Sequence, residues 1–178
     1  MTSSNMHKFV AILGAILCII ALIPVDVLSW WKVDFTQVVT STHLSNYISA
    51  FGYFTFTTLP FITQAQTIIL SSSFQFVGII VLIGAIIMFA GGLKGSKGIA
   101  VIGAIVALLG PILFLVALNG LDSANDLFLS SGAQKFFGSG DLFNVVKYGA
   151  GSWYLNIGFF LPIIGAVLGF LSAKSSSK

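Results

Sequence analysis

The sequence predicts a membrane all-α four-helix transmembrane bundle, with a small antiparallel β-sheet formed by the first extracellular loop. Three observations carry this prediction. Only 7% of the 178 residues are charged and 57% are hydrophobic, whereas soluble domains carry about 25% charged residues. Four apolar stretches reach the roughly 20 residues that a helix needs to cross a bilayer. The region after the first stretch is rich in β-branched and aromatic residues punctuated by Gly, Ser and Pro, which indicates about three strands.

The predicted spans, in chain order, are about 9–29, 74–93, 98–118 and 153–173. We interpret the first as an uncleaved anchor rather than a signal peptide, because its apolar core is long and no small-x-small cleavage site follows it. Only the turn Gly-Gly-Leu-Lys-Gly-Ser-Lys-Gly separates the second span from the third. These two spans should therefore be antiparallel neighbours within a single integral membrane domain covering 1–178.

The distribution of charge predicts which way the spans face. All eight cations are lysine and all five anions are aspartate. If both termini and the 94–97 turn face the cytoplasm, that side holds five lysines and no acid: Lys8, Lys94, Lys97, Lys174 and Lys178. Cytoplasmic segments carry an excess of cations. We therefore expect a multi-pass protein of the cell membrane with cytoplasmic N- and C-termini, a β-rich outer loop at 30–73 and a second outer loop at 119–152.

All three tryptophans of the chain fall at the outer ends of predicted spans. Trp30 and Trp31 follow the first span, and Trp153 and Tyr154 open the fourth. Amphipathic aromatic rings are enriched at the level of the lipid headgroups. The four residues are therefore predicted to be interface anchors.

Small residues recur at helical spacing within the spans, a pattern typical of closely packed membrane helices. The predicted helix-packing residues are Gly14 in span 1, Gly103, Ala107 and Gly110 in span 3, and Gly158, Gly165 and Gly169 in span 4. We expect these faces to pack within one chain. A face left over would instead mark self-association, and the sequence leaves that alternative open.

Asp26 is the candidate polar membrane site, because an acid near a span is costly and is a functional candidate by default. It follows Pro24 near the outer end of the first span. The alternative is that Asp26 reaches the outer interface, or pairs with Lys32 or Lys147. Asn156 is a possible neighbour at similar depth, and an interhelical hydrogen bond is its simplest role.

Residues able to carry chemistry are sparse. Cys18 is the only cysteine, and the histidines are His7 and His43; we expect both histidines to be solvated. Three or four converging ligands are needed for a zinc site, and the lysines are scattered rather than clustered as in a nucleic-acid surface. We therefore predict no catalytic residue, no metal or other cofactor, and no nucleic-acid partner.

Two segments carry a family resemblance. Trp31-Lys32-Val33 is similar to the start of the first outer loop of the claudin and peripheral-myelin-protein superfamily, and the segment 148–154, YGAGSWY, looks like its entry to the last span. The order of spans and loops resembles that family too. The family's Gly-Leu-Trp with two flanking cysteines is missing, so the disulfide of its sheet is absent. The resemblance implies a non-enzymatic protein acting through its outer loops or by assembly in the membrane.

Two functions from different classes follow. The first is association: a structural or accessory subunit of a membrane complex, or a claudin-like self-assembling scaffold, with the lipid bilayer, other membrane subunits or copies of itself as partners. The second is transport: a small carrier or channel subunit with a polar path near Asp26.

Overall fold

The computed structural model describes residues 3–36, 41–57, 65–123, 125–142 and 149–174. Lys147, Tyr148 and Lys178, which the sequence predictions used, lie outside these ranges. Within them the chain forms four α-helices: α1 Ser3–Ile20, α2 Ser72–Lys94, α3 Lys97–Gly120 and α4 Ile157–Lys174. It also forms six strands: β1 Trp31–Thr36, β2 His43–Ile48, β3 Tyr53–Thr57, β4 Ala65–Ile69, β5 Gly138–Asp141 and β6 Ala150–Leu155.

The helices form a four-membered bundle. Helix α1 packs against α2 and α4, and α3 packs against the same two helices. Gly95 ends α2 in the left-handed conformation, at a φ of 69°, and its N–H bonds back to the carbonyls of Gly91 and Gly92. Glycine adopts this conformation without steric cost. The tight turn makes α2 and α3 neighbours, as the sequence predicted.

Three of the helices, α2, α3 and α4, are long and apolar enough to cross a membrane by length and composition. Their mean hydropathies are 2.7, 2.9 and 1.9. The described apolar part of α1, Asn5–Ile20, is shorter.

Two helix boundaries differ from the predicted spans. The first span was predicted to run to residue 29, but α1 ends at Ile20 and a separate 3₁₀ helix covers Asp26–Leu28. Pro24 has no N–H to bond to the carbonyl four residues earlier, which disfavours continuing the helix, although Pro111 and Pro162 are accommodated inside α3 and α4. The fourth span was predicted from 153, but residues 153–155 belong to β6 and α4 begins at Ile157.

The six strands form one antiparallel sheet in the order β4-β3-β2-β1-β6-β5. The region 30–73, predicted as a β-rich loop, supplies four strands where about three were predicted, so a sheet in this region is confirmed. Strand β5 lies in the second predicted loop, and β6 runs from that loop into the predicted fourth span; neither strand was predicted. Strand β1 lies at the centre, with Trp31 opposite both Ile48 of β2 and Leu155 of β6.

The sheet has two unlike faces, because successive side chains of a strand point to opposite sides. The covered face carries the buried residues Trp31, Val33, Phe35, Ile48, Phe54 and Trp153. The segment 125–142 lies over it: the Phe54 and Phe128 rings stack at 5.9 Å. The opposite face, here called the hydroxyl face, carries Lys32, Asp34, Ser45, Tyr47, Tyr53, Thr55, Thr67, Ser152 and Tyr154. These residues are half-buried or exposed.

Candidate functional site

The candidate site is a charged network between the 3₁₀ helix and the hydroxyl face. The Lys32 ammonium lies 2.9 Å from Asp26 Oδ1 and 3.4 Å from Asp34 Oδ1. The Tyr154 hydroxyl donates a 2.6 Å hydrogen bond to Asp34 Oδ2, and the Ser45 hydroxyl donates to Asp26 Oδ2 at 3.4 Å. Lys32 thus lies between two carboxylates and forms an ion pair with each.

The register of the sheet assembles this network. Lys32 and Asp34 are two residues apart on β1 and share a face. Lys32 is directly opposite Tyr154, and Asp34 is directly opposite Ser45. A sequence pattern of alternating residues shows which side chains share a face, but only the pairing of β1 with β6, some 120 residues away, brings Tyr154 to Asp34.

The network changes the proton affinity of two groups. Partial burial acts to lower the pKa of Lys32, but the hydrogen bond and charge of Asp26 and the charge of Asp34 outweigh it, so its pKa is raised. Burial, followed by the hydrogen bond and charge of Asp34, raises the pKa of Tyr154. Both shifts favour the protonated forms, which are the ammonium and the neutral phenol.

A loss of stability at alkaline pH follows. The pKa of each group is higher in the folded chain than its ordinary value, 10.5 for Lys32 and 10.0 for Tyr154. The stability that the two groups contribute is therefore present below pH 10 and is lost as the pH rises through their pKa values in the folded chain.

Tyr154→Phe should lower the free energy of unfolding at neutral pH by about 1 kcal/mol and flatten this alkaline decline in stability. Thermal unfolding in detergent from pH 7 to 11 measures both. Tyr53→Phe, an exposed phenol on the same face, is the control and should change neither.

Asp26 and Asn156 lie close together, but the contact is between the Asn156 side chain and the backbone of Asp26. The Asn156 amide donates to the Asp26 carbonyl at 3.1 Å and to the Ser29 hydroxyl at 2.8 Å. The Asp26 carboxylate itself pairs with Lys32, one of the two partners considered from the sequence. The arrangement fixes the 3₁₀ helix against the start of α4, which is the structural role expected for an amide at such a position.

The tryptophans differ from the prediction of headgroup anchors, because their rings are buried in protein. Trp30 and Trp31 are fully buried and Trp153 is 5% exposed. The Trp31 indole N–H donates to the Lys135 carbonyl at 2.7 Å, and that of Trp153 donates to the Gln134 carbonyl at 2.6 Å. These two indoles therefore attach the segment 125–142 to the covered face, and neither ring can lie among lipid headgroups.

Trp30 has a different environment, at the junction of sheet and bundle. Its indole N–H donates to the Ala21 carbonyl at 2.8 Å. Its ring lies 5.2 Å from that of Phe114 on α3 and 6.0 Å from that of Phe159 on α4. Tyr154, the fourth predicted anchor, is half-buried and binds Asp34. The anchor prediction is thus wrong for the tryptophans, and the phenol belongs to the charged network.

The small-residue faces of α1 and α4 pack against each other within the chain. A Cβ added at Gly165 would lie 2.5 Å from the Gly14 carbonyl oxygen and 2.7 Å from the Cys18 sulfur. A Cβ at Gly14 would meet the Gly165 carbonyl oxygen at 2.5 Å. Gly158, at the start of α4, similarly meets the Leu28 carbonyl. Side chains larger than hydrogen cannot be placed at these positions without displacing backbone.

Helices α2 and α3 use their small residues in the same way. Gly103 faces the backbone of Met88, and the backbone of Ala107 occupies the space beside Gly84. Two further contacts of this kind are Gly110 with Val81 and Gly169 with Met88 and Ala104. All seven predicted packing residues therefore contact another part of the same chain, as expected for faces that pack within one chain.

The two histidines differ from each other. His43 has a side chain that is 71% exposed, in line with the prediction that it is solvated. His7 is only 3% exposed, and its Nδ1 lies 2.8 Å from the Ser172 carbonyl oxygen of α4. The prediction that His7 is solvated is wrong, because α4 covers the first turns of α1. The described ranges contain no group of three His, Cys, Asp or Glu residues that could hold a metal ion.

An open groove of about 590 Å³ lies where α2 begins and α3 ends. Its lining residues are Ser71, Ser73, Phe76, Leu113, Val116, Ala117, Gly120 and Leu121. None of these side chains is ionisable, so the groove offers neither a proton donor nor a nucleophile activated by a base.

The sequence matches no protein-family model, and no curated protein matches it significantly.

Proposed function

We propose that this chain is a four-span integral membrane protein that acts by association through its outer sheet. Three of its helices are long and apolar enough to span a membrane, and their outward surfaces expose large apolar side chains, such as Ile83, Ile105 and Ile164. Helix α1 would be the fourth and shortest span. Such surfaces suit lipid, since a contiguous apolar patch of this extent is uncommon on a soluble monomer.

The ends of the bundle support an orientation with cytoplasmic termini. Lys8 lies in the first turns of α1, Lys94 and Lys97 flank the α2–α3 turn, and Lys174 ends α4. The opposite end of the bundle joins the 3₁₀ helix and the sheet, which carry Asp26, Lys32 and Asp34. Four of the described lysines and none of the described acids thus lie at the end with the termini, and the positive-inside rule expects such an excess of cations on the cytoplasmic side.

The observation that carries the association proposal is the hydroxyl face of the sheet, whose described residues are half-buried or exposed. Its charged residues Lys32 and Asp34 pair with each other, and their side chains are only 17% and 19% exposed. Tyrosine is also present on this face, and protein interfaces are enriched in tyrosine and depleted of charged residues. The small-residue faces of the bundle are already used within the chain, so the sheet is the surface that remains. A subunit of a larger membrane complex and a claudin-like scaffold both fit this proposal.

If the protein is a claudin-like scaffold, it has the sheet that the family resemblance implies, but contacts other than a disulfide stabilise that sheet. Strand β1 begins at Trp31-Lys32-Val33, and α4 follows β6 directly. No cysteine lies in the strands, so the backbone ladders hold the sheet together, and the Lys32 network and the indole hydrogen bonds to residues 134 and 135 add side-chain contacts.

Transport is the alternative, and the contacts of Asp26 favour association over it. Its carboxylate is engaged by Lys32, and its side chain is 41% exposed beside the sheet. A carboxylate so placed is a structural ion pair rather than an isolated acid on a membrane path. Asp26→Asn should therefore leave any function of the complex intact, whereas loss of a solute flux in a folded Asp26→Asn protein would support transport.

The mass and composition of the particle extracted in mild detergent test the proposal. Association predicts a fixed stoichiometry with other subunits or with further copies of the chain. A lone monomer would contradict it.

Labelling of introduced cysteines tests the orientation. A membrane-impermeant maleimide applied to intact cells should label Ser139→Cys on β5 and should not label Ser96→Cys in the α2–α3 turn. Cys18 is fully buried, so the unmodified chain is the blank. Labelling of Ser96→Cys alone would reverse the orientation.

A further inference from the structure

The two edges of the sheet are unlike. Strand β5 is short, contains Gly138 and Gly140, and ends in the charged Asp141. Its surroundings cover it in part, since Leu129 bridges to Leu142 and the Ser130 hydroxyl donates to the Asp141 carbonyl. Glycine, charge and a covering segment are the features by which proteins prevent sheet edges from pairing with other strands.

Strand β4, at the other edge, has no glycine and no charge, and its described residues 66–69 are exposed. Its sequence Ala-Gln-Thr-Ile-Ile contains no charge, proline or glycine. Thr67 is exposed, and Ile68 and Ile69 are 47% and 52% exposed. Within the described ranges β4 pairs with β3 alone. An uncharged, apolar edge strand is a template for a further strand.

The hydrogen-bond pattern shows which groups β4 presents. The Leu70 N–H donates to the Gly52 carbonyl at 3.1 Å. Bonded and non-bonded pairs alternate along an antiparallel ladder, so Thr67, three residues earlier, forms a non-bonded pair with Thr55. The N–H and C=O of Thr67 therefore point away from β3, and those of Ala65 and Ile69 do the same. The free edge thus offers three regularly spaced donor and acceptor sets.

We propose that this edge binds β4 of a second copy of the chain, so that two sheets join into one across a two-fold axis. This inference rests on the proposed function and names its partner. Antiparallel pairing centred on Thr67 sets each Thr67 opposite its own copy and Gln66 opposite Ile68. Three residues with two backbone groups each would close about six hydrogen bonds.

The side chains suit self-pairing. The centred register places no charged residue opposite a like charge, which would destabilise a pair of identical strands. The Thr55 and Thr67 hydroxyls already pair at 3.1 Å, and a second copy extends this row across the two-fold axis. A closed, self-complementary contact of this kind yields a dimer rather than an open filament.

Disulfide trapping in native membranes tests the proposal. Paired residues of an antiparallel ladder have Cα atoms about 5.5 Å apart, within reach of a disulfide. Thr67→Cys should form a covalent dimer under mild oxidation. Ser139→Cys, on the opposite edge, should stay monomeric on a denaturing gel. Equal trapping at both positions would mean random collision and would overturn the proposal.

A second pair of variants measures the contact without oxidation. Thr67→Lys places like charges across the two-fold axis and should at least halve the dimeric fraction in mild detergent. Thr67→Val keeps the backbone groups and the side-chain shape, and should retain the dimer. Equal dimer content in the two variants would overturn the inference.

The trapping experiment and the particle mass together distinguish a failure of β4 pairing from a failure of the proposed association. A particle of fixed stoichiometry with other proteins, without trapping at Thr67, would keep association and reject self-pairing at β4. A monomer without trapping would reject both.

Discussion

Gly165→Leu is expected to prevent the chain from folding, rather than to dissociate a folded assembly. A Cβ at this position lies 2.5 Å from the Gly14 carbonyl oxygen and 2.7 Å from the Cys18 sulfur, and a leucine adds three further carbons. Overpacking a well-filled interior costs about 1–3 kcal/mol when side chains can adjust. Backbone cannot move aside so easily, so we expect a loss of at least about 3 kcal/mol, a large part of the stability of a typical domain.

The measurement is the yield and melting temperature of monodisperse protein in detergent, with Gly98→Leu as the matched control. Gly98 is an exposed glycine in the first turn of α3, and a Cβ there would have no neighbour within 4 Å. Its replacement should leave the melting temperature unchanged or slightly higher, because glycine is a poor helix former. A folded Gly165→Leu chain that only lost oligomers would show that this face packs between chains instead.

Trp30→Ala is expected to destabilise the chain by about 3–5 kcal/mol, the range for truncating a large buried aromatic side chain. The indole is fully buried between sheet and bundle, with Phe114 and Phe159 as ring neighbours. Trp30→Phe keeps most of the apolar contact and loses the hydrogen bond to the Ala21 carbonyl. It should cost less than half as much as the alanine variant.

Thermal unfolding in detergent measures this difference, and Phe76→Ala supplies the control. Phe76 is 61% exposed on α2, so its truncation should change stability by about 0.5 kcal/mol or less. A headgroup anchor would behave like Phe76. Small and equal losses for Trp30→Ala and Phe76→Ala would contradict the buried role assigned to Trp30.

The sequence predicted the helices well, because their signal is local. Apolar runs such as 98–118 mark a helix without reference to the rest of the chain, and α3 covers Lys97–Gly120. Glycine spacing on span 4 likewise indicated a face of close approach, and Gly165 does meet Gly14. Two boundaries were predicted wrongly. Helix α1 ends at Ile20, four residues before Pro24. Trp153 lies in an apolar run that was predicted to be helical, but it pairs as part of a strand.

Strand β5 shows why the sheet was harder to predict. Its sequence Gly-Ser-Gly-Asp has little intrinsic preference for a strand. It is a strand because β6 lies beside it, with Ser139 opposite Ser152 and Gly140 opposite Gly151. Strand β6 in turn pairs with β1, more than 100 residues away in sequence, so β5 depends on a neighbour that a distant segment holds in place.

What the sequence determined by itself was the number of helices, their approximate extents, and the placement of five lysines and no aspartate in the terminal segments and the 94–97 turn. Each depends on composition and short-range periodicity. The tertiary structure decided the surroundings of individual side chains. Trp31 follows a helical span whether its ring meets lipid or protein; the carbonyl of Lys135, 104 residues later, is what its N–H binds. Whether a side chain is buried, and which group it binds, depends on contacts between segments that are distant in the sequence, and no local pattern encodes these contacts.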